Sequence, residues 1–189
     1  DGLDTIGYRH ALGTVTLETG TLRRDNAGTI TTANLVSIER AVIYAEAGAT
    51  SPVTITAATF TGTTLLKGAD GNDTLISGTG ADNVFFASGG TDSMTNSAAT
   101  GATYEGGDLT GNWVVADSGA SDIAITKNAG SDLLVGPFSE IHLFGDDTDN
   151  LFDASGLTRA KVYLTGGEGD DTLKGGSLDD TLTGGEGAD

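Results

Sequence analysis

Three aspartates near the end of the chain, Asp171, Asp180 and Asp189, stand in strict register, and each closes a glycine-rich run: GGEGDDTLK from Gly166, GGSLDDTLT from Gly175 and GGEGAD from Gly184. The repeating unit has the form G-G-x-G-x-D-x-U-x, where U is a large apolar residue. Its glycines let the backbone turn tightly through positive φ and bare its carbonyls, and the Asp adds a carboxylate to the oxygens so gathered. That is a site for a hard cation. A second cluster from Gly68 to Phe85 reads GADGNDTLI and SGTGADNVF, with Asp73 and Asp82 as its acids. Ser88, Gly90 and Asp92 form a further turn, one residue out of register, with Met94 as its apolar residue.

The elements that position these acids follow from the same period. Each x-U-x is a very short strand whose single apolar side chain, such as Leu173 or Leu182, points inward. Successive units stack as a parallel β-coil with cation sites along its turns. An acidic glycine-rich linker would not set an apolar residue two positions after every Asp.

On these motifs the chain resembles the RTX (repeats-in-toxin) family, whose signature is this nonapeptide. The resemblance implies a parallel β-roll that binds several Ca2+ ions, each held by the Asp at position six and by main-chain carbonyls at about positions two and four. The implied ligands are Gly167, Gly169 and Asp171, then Gly176, Leu178 and Asp180, then Gly185, Gly187 and Asp189. In the first cluster they are Ala69, Gly71 and Asp73, then Gly78, Gly80 and Asp82, with Gly90 and Asp92 beyond. Leu178 and Ala69 replace motif glycines, and Ser77 stands at a first position. Calcium turns are thus expected at 68–94 and 166–189.

Composition agrees with a cation-binding role. The formal charge is -18, from 27 acidic and 9 basic residues, and 20 of the acids are the short-chained Asp. Nucleic acid and anionic membrane surfaces would repel such a chain. With no cysteine there is no disulfide and no thiolate metal site, so in an extracellular setting metal must act as the staple. No run of 18 apolar residues occurs and no signal-peptide pattern is read at the start, and membrane insertion is not expected. The resemblance implies a secreted or cell-surface bacterial protein exported by type I secretion.

The rest of the chain reads as one continuous solenoid, nearly all β. GTVTL at 13–17, LVSIERAVIY at 35–44, WVVA at 113–116 and IAIT at 123–126 are strand-like, and the segment 34–47 is read as strand rather than helix. An internal duplication marks two related copies, about 1–99 and 100–189 with a boundary near 97–101. NAG recurs at 26–28 and 128–130, IER at 38–40 is echoed by FSEI at 138–141, and TITAATFTG at 54–62 by LFDASGLTR at 151–159. Because GAD at 187–189 followed by GLDTI at 2–6 would restore a motif, the chain is expected to be a piece of a longer protein, arranged as a tandem array. Open solenoid ends make head-to-tail self-association into a filament plausible.

Catalysis finds little support. No G-x-S-x-G elbow or H-E-x-x-H occurs, His142 is expected to face outward from a strand, and His10 beside Arg9 to lie in a loop. GDDTDN at 145–150 lacks the sixth-position glycine of an EF-hand and is read as a degenerate turn with Asp149 as ligand and Leu151 as core residue. Trp113, Phe85, Phe86 and Phe144 are core or stacked residues; Arg23, Arg24 and Lys127 are read as surface charges. The expected role is a calcium-rigidified structural module of a filament, surface layer or adhesin stalk. An export and folding module of a toxin or enzyme and a ligand-binding adhesin domain are the alternatives.

Overall fold

Runs rich in Thr, Val, Ile and Leu, punctuated by glycine every few residues, favour short strands and tight turns. The structure, a computed structural model, describes residues 4–10, 13–26, 29–34, 36–45, 51–86, 89–109, 111–127 and 130–189. Residues 2–3 of the GLDTI run, Leu35, residues 46–48, Ser88 and residues 27–28 and 128–129 of the NAG pair lie outside them. Every regular element among the described residues is a strand, numbered β1–β19 in chain order.

The strands form two sheets. The first runs β1 (Thr5–His10), β5 (Arg40–Ala45), β7 (Thr63–Lys67), β9 (Val84–Phe86), β11 (Ala102–Leu109), β15 (Phe138–Gly145), β17 (Lys161–Glu168) and β19 (Thr181–Glu186). All its neighbours are parallel. The second runs β18 (Thr172–Lys174), β16 (Leu151–Gly156), β12 (Asn112–Ser118), β13 (Asp122–Lys127), β14 (Gly130–Val135), β10 (Ser93–Thr95), β8 (Thr74–Ile76), β6 (Val53–Thr56), β2 (Gly13–Glu18), β3 (Thr21–Asn26) and β4 (Thr29–Asn34). The chain alternates between the sheets, so each coil contributes a strand to both. This is a β-solenoid, all-β and open at its ends.

Two antiparallel meanders interrupt the parallel stacking, a feature the motif spacing does not reveal. In β2–β3–β4 and again in β12–β13–β14 the chain zigzags within the second sheet before returning to the first. The first strand of each meander pairs in parallel with the coil that follows, β2 with β6 and β12 with β16. The third strand of the second meander, β14, pairs in parallel with β10.

The core lies between the sheets and follows strand alternation. Ile43, Leu66, Phe85, Tyr104, Ile141, Leu143, Val162 and Leu164 enter from the first sheet, and Val15, Ile55, Leu75, Met94, Val115, Ile125, Leu134 and Phe152 from the second. Apolar residues of successive coils lie in register, as Leu75 does with Met94 and Leu66 with Phe85. The last coil differs: Leu173 is partly buried against the core, whereas Leu182 is 43% exposed on β19. Of segment 34–45, Asn34 ends β4 and Arg40–Ala45 is β5, but residues 36–39 between them are a bend and loop rather than the expected strand, with Ser37 at φ +55° and Val36 exposed. Arg9 and His10 complete β1 and are not in a loop. His142 lies on β15 between the carboxylates of Glu105 and Glu140, at 3.1 and 3.4 Å, and its ring meets that of Tyr163 at a tilt of 59° with centroids 4.5 Å apart. Trp113 and Phe85 are core, and Phe86 meets Tyr44 edge to face at 6.2 Å.

Candidate metal sites

Because strands alternate between sheets, successive nonapeptides fall on opposite edges of the solenoid. Asp73, Asp92 and Asp171 end turns leading from the first sheet to the second, Asp189 follows β19 of the first sheet, and Asp180 ends a turn leading back. Along the first edge these acids form a ladder. The backbone N–H of Val53 donates to Asp73 Oδ1 at 2.8 Å, that of Asp73 to Asp92 Oδ1 at 2.9 Å, and that of Asp92 to Asp132 Oδ1 at 3.0 Å. Further along, the N–H of Asn150 donates to Asp171 Oδ1 at 2.8 Å and that of Asp171 to Asp189 Oδ1 at 3.1 Å. On the opposite edge the N–H of Val162 donates to Asp180 Oδ1 at 2.9 Å.

One oxygen of each carboxylate is therefore engaged by the neighbouring coil. The second oxygen decides whether an ion fits. In Asp92 and Asp171, both buried, Oδ2 has no hydrogen-bond partner. An unsatisfied charged oxygen in a buried place costs more than the roughly 1–3 kcal/mol of a neutral group, so these two positions call for a cation. Asp73 Oδ2 accepts the Ala69 N–H at 2.5 Å and Asp180 Oδ2 accepts the Gly176 N–H at 2.7 Å, which turns both carboxylates back into their own loops. The glycine five residues before the acid makes room for it: a Cβ on Gly175 would lie 2.6 Å from Asp180 Oδ2, and one on Gly166 would collide with Asp171. Gly167, Gly169, Gly185 and Gly187 have φ of +124°, +106°, +138° and +148°, the left-handed backbone that the motif requires at positions two and four. Leu178, at position four of the intervening unit, does not share that conformation, so a leucine fits there with its side chain exposed.

Two turns are in a different register from the one expected. Asp82 is exposed with φ +58°, and the buried residue in the acid's position is Asn83, with Phe85 rather than Val84 in the core. Asn83 Oδ1 accepts the Thr64 N–H at 2.8 Å, as an aspartate would. Its Nδ2 donates to the carbonyls of Gly78 and Gly80 at 3.0 and 2.9 Å. The amide thus already occupies the two carbonyls expected to bind an ion. Ser77 and Asn96 extend this network, with Ser77 Oγ donating to Asn96 Oδ1 at 3.1 Å. In the 145–150 turn, Asn150 and Phe152 take the places expected of Asp149 and Leu151. Asn150 Nδ2 donates to the Thr148 carbonyl and to Asp146 Oδ1, while Asp149, exposed, accepts the Asp170 N–H at 2.9 Å. Strands flank this turn, in keeping with a degenerate coil turn rather than an EF-hand.

The residues that spacing alone missed are Asn83, Asn150 and Asp132. The first two were findable, since each precedes a large apolar residue by two positions, as the motif acids do. Among the described residues no point gathers three or more His, Cys, Asp or Glu side chains. An ion here must draw on carbonyls for most of its oxygens, which the glycine-rich turns supply.

Electrostatics mark the same ladder. Burial, with the neighbouring Asp132 carboxylate adding to it, pushes the Asp92 carboxyl from 3.8 up to about 7. Burial also raises Asp73, against hydrogen bonds from the Ala69 and Val53 amides. Asp153, outside the ladder, is instead lowered to about 2 by its hydrogen bond from Lys174 Nζ.

The model of the RTX calcium-binding nonapeptide repeat, with four copies, matches residues 59–94 and 163–189. These segments carry RTX repeats, a family that binds Ca2+ in its turns, and they hold Asp73, Asp92, Asp171, Asp180 and Asp189, while Asp132 lies between them. No curated protein and no solved structure matches the chain.

Two outcomes follow. Replacing Asp171 with Asn is expected to remove one bound calcium per chain, whereas Asp149→Asn leaves the count unchanged; equilibrium dialysis against Ca2+ distinguishes them, and equal losses would return the ligand role to Asp149. Asp92 gives a pH signature. Its folded pKa lies above the unfolded value of about 3.9, so between the two the folded state holds the extra proton and stability falls as pH rises. In chelator, the urea midpoint is expected to drop from about pH 5 to about pH 7.5, and calcium is expected to abolish the drop by replacing the proton. A midpoint that climbs over this window in chelator would contradict the burial of that carboxyl.

Proposed function

We propose that this chain is a structural segment of a secreted or surface-displayed bacterial protein, a filament, surface-layer or stalk module that calcium folds and rigidifies. The reading rests on one observation: buried aspartates stack coil on coil, with second oxygens that are buried and lack a partner at Asp92 and Asp171. The proposed ligands are Asp92 with the Gly90 carbonyl, Asp73 with Ala69 and Gly71, Asp171 with Gly167 and Gly169, Asp180 with Gly176 and Leu178, and Asp189 with Gly185 and Gly187. RTX repeats occur in exported proteins, and this supports an extracellular setting at millimolar calcium. Two related copies, each with its own meander, would extend the module along one axis, and head-to-tail stacking would lengthen it further.

The energetics are adequate for a switch. Coils lie about 4.8 Å apart, so adjacent carboxylates repel by about 3.5 kcal/mol at an effective dielectric of about 20. Extracellular sites of about 0.1–1 mM dissociation constant, at tenfold excess calcium, contribute about 1.4 kcal/mol each. Four or five such sites amount to about 6–7 kcal/mol, comparable to the whole stability of a small domain. A calcium titration followed by circular dichroism and light scattering on one sample tests the proposal. A cooperative gain of β signal near millimolar calcium is expected, with growth in particle size if the module assembles end to end. A spectrum indifferent to calcium and chelator would refute the metal-stapled solenoid.

A further inference from the structure

Lys127, which by sequence reads as a surface charge, is buried. Its side chain is 8% exposed, and its Nζ lies 2.6 Å from Asp132 Oδ1, a carboxylate with no exposure at all. Tyr104 Oη donates to the other oxygen of Asp132 at 2.8 Å, and the Trp113 ring lies beneath the ammonium, 5.5 Å from Nζ to the centroid. Asp132 is also the rung of the ladder next to Asp92, whose N–H it accepts. The rung is reached 40 residues along the chain rather than 19, because the meander β12–β13–β14 intervenes. At this one rung the chain thus brings a cation of its own, delivered by the last residue of β13 to a strand that follows it.

We infer that Lys127 is a resident cation in the calcium ladder: it neutralises Asp132, the rung beside Asp92, and so lets β14 stack on β10 without a calcium ion at that rung. A buried ammonium is costly unless paired and satisfied, and here a carboxylate and an aromatic face do both. The position matters because β14 on β10, with β11 on β9, is where the coil of β9 and β10 meets the coil that holds the second meander. A calcium-independent rung there leaves a folded centre onto which the metal-dependent coils can add. The inference rests on the calcium reading of the ladder, and the test separates the two.

The test compares the full chain with K127M and K127M/D132N, counting bound Ca2+ by equilibrium dialysis and recording melting temperatures in chelator and in saturating calcium. K127M is expected to bind one calcium more than the unaltered chain, and its loss of melting temperature in chelator should shrink by at least half when calcium is added. K127M/D132N, which removes the carboxylate as well, should lose the extra ion. An unchanged calcium count in K127M with the same thermal loss in both buffers would overturn the inference, leaving an ordinary buried ion pair. So would K127M that stays unfolded in calcium while K127M/D132N folds. An unaltered chain that binds no calcium would instead sink the reading on which the inference rests.

Discussion

Stacking coils at strand spacing forces the same position of each turn to lie over its counterpart, and in this chain that position is acidic. Each aspartate accepts the backbone N–H of the coil beside it, and this satisfies a donor that would otherwise be left at the solenoid's edge. The arrangement is self-limiting. Every added rung places another carboxylate within about 5 Å of the last, so the geometry that satisfies the backbone accumulates negative charge. Everything else at the two edges can be understood as a way of relieving it.

The chain uses three kinds of relief. At Asp92 and Asp171 one oxygen is left for an ion, whereas at Asp73 and Asp180 the second oxygen accepts an N–H of its own loop. Where the residue is Asn, as at Asn83 and Asn150, an NH2 group aimed at the turn's own carbonyls replaces the ion, and at Asn83 the side chain also keeps the acceptor that the neighbouring coil needs. At Asp132 the relief is the Lys127 ammonium. These substitutions are isosteric or local, so one backbone geometry persists while its dependence on metal varies from rung to rung. The metal-dependent rungs dominate the last coils, where Leu178 and Leu182 remain exposed and apolar packing contributes least.

Much of this was legible in the sequence because the nonapeptide encodes both the turn and the strand. The solenoid, the inward Leu75 and Leu173 and the acids at 73, 171, 180 and 189 follow directly from spacing, whereas Leu182, also expected inward, is exposed. The register of two turns does not follow, because a carboxylate, Asp82 or Asp149, stands directly beside the asparagine that fills the acid's place; Phe85 and Phe152, two positions on, identify those asparagines. The meanders were invisible because antiparallel and parallel strands share the same alternation. That in turn hid Lys127: only the fold-back of β13 against β14 brings it to Asp132, and nothing local in the sequence separates it from a solvated lysine.

Hydrogen exchange with and without calcium, read segment by segment, tests the partition most directly. If relief by metal, amide and ammonium is distributed as described, chelation will strip protection from residues 166–189 while β10, β13 and β14 keep theirs. Protection lost evenly along the chain, or retained throughout, would contradict it.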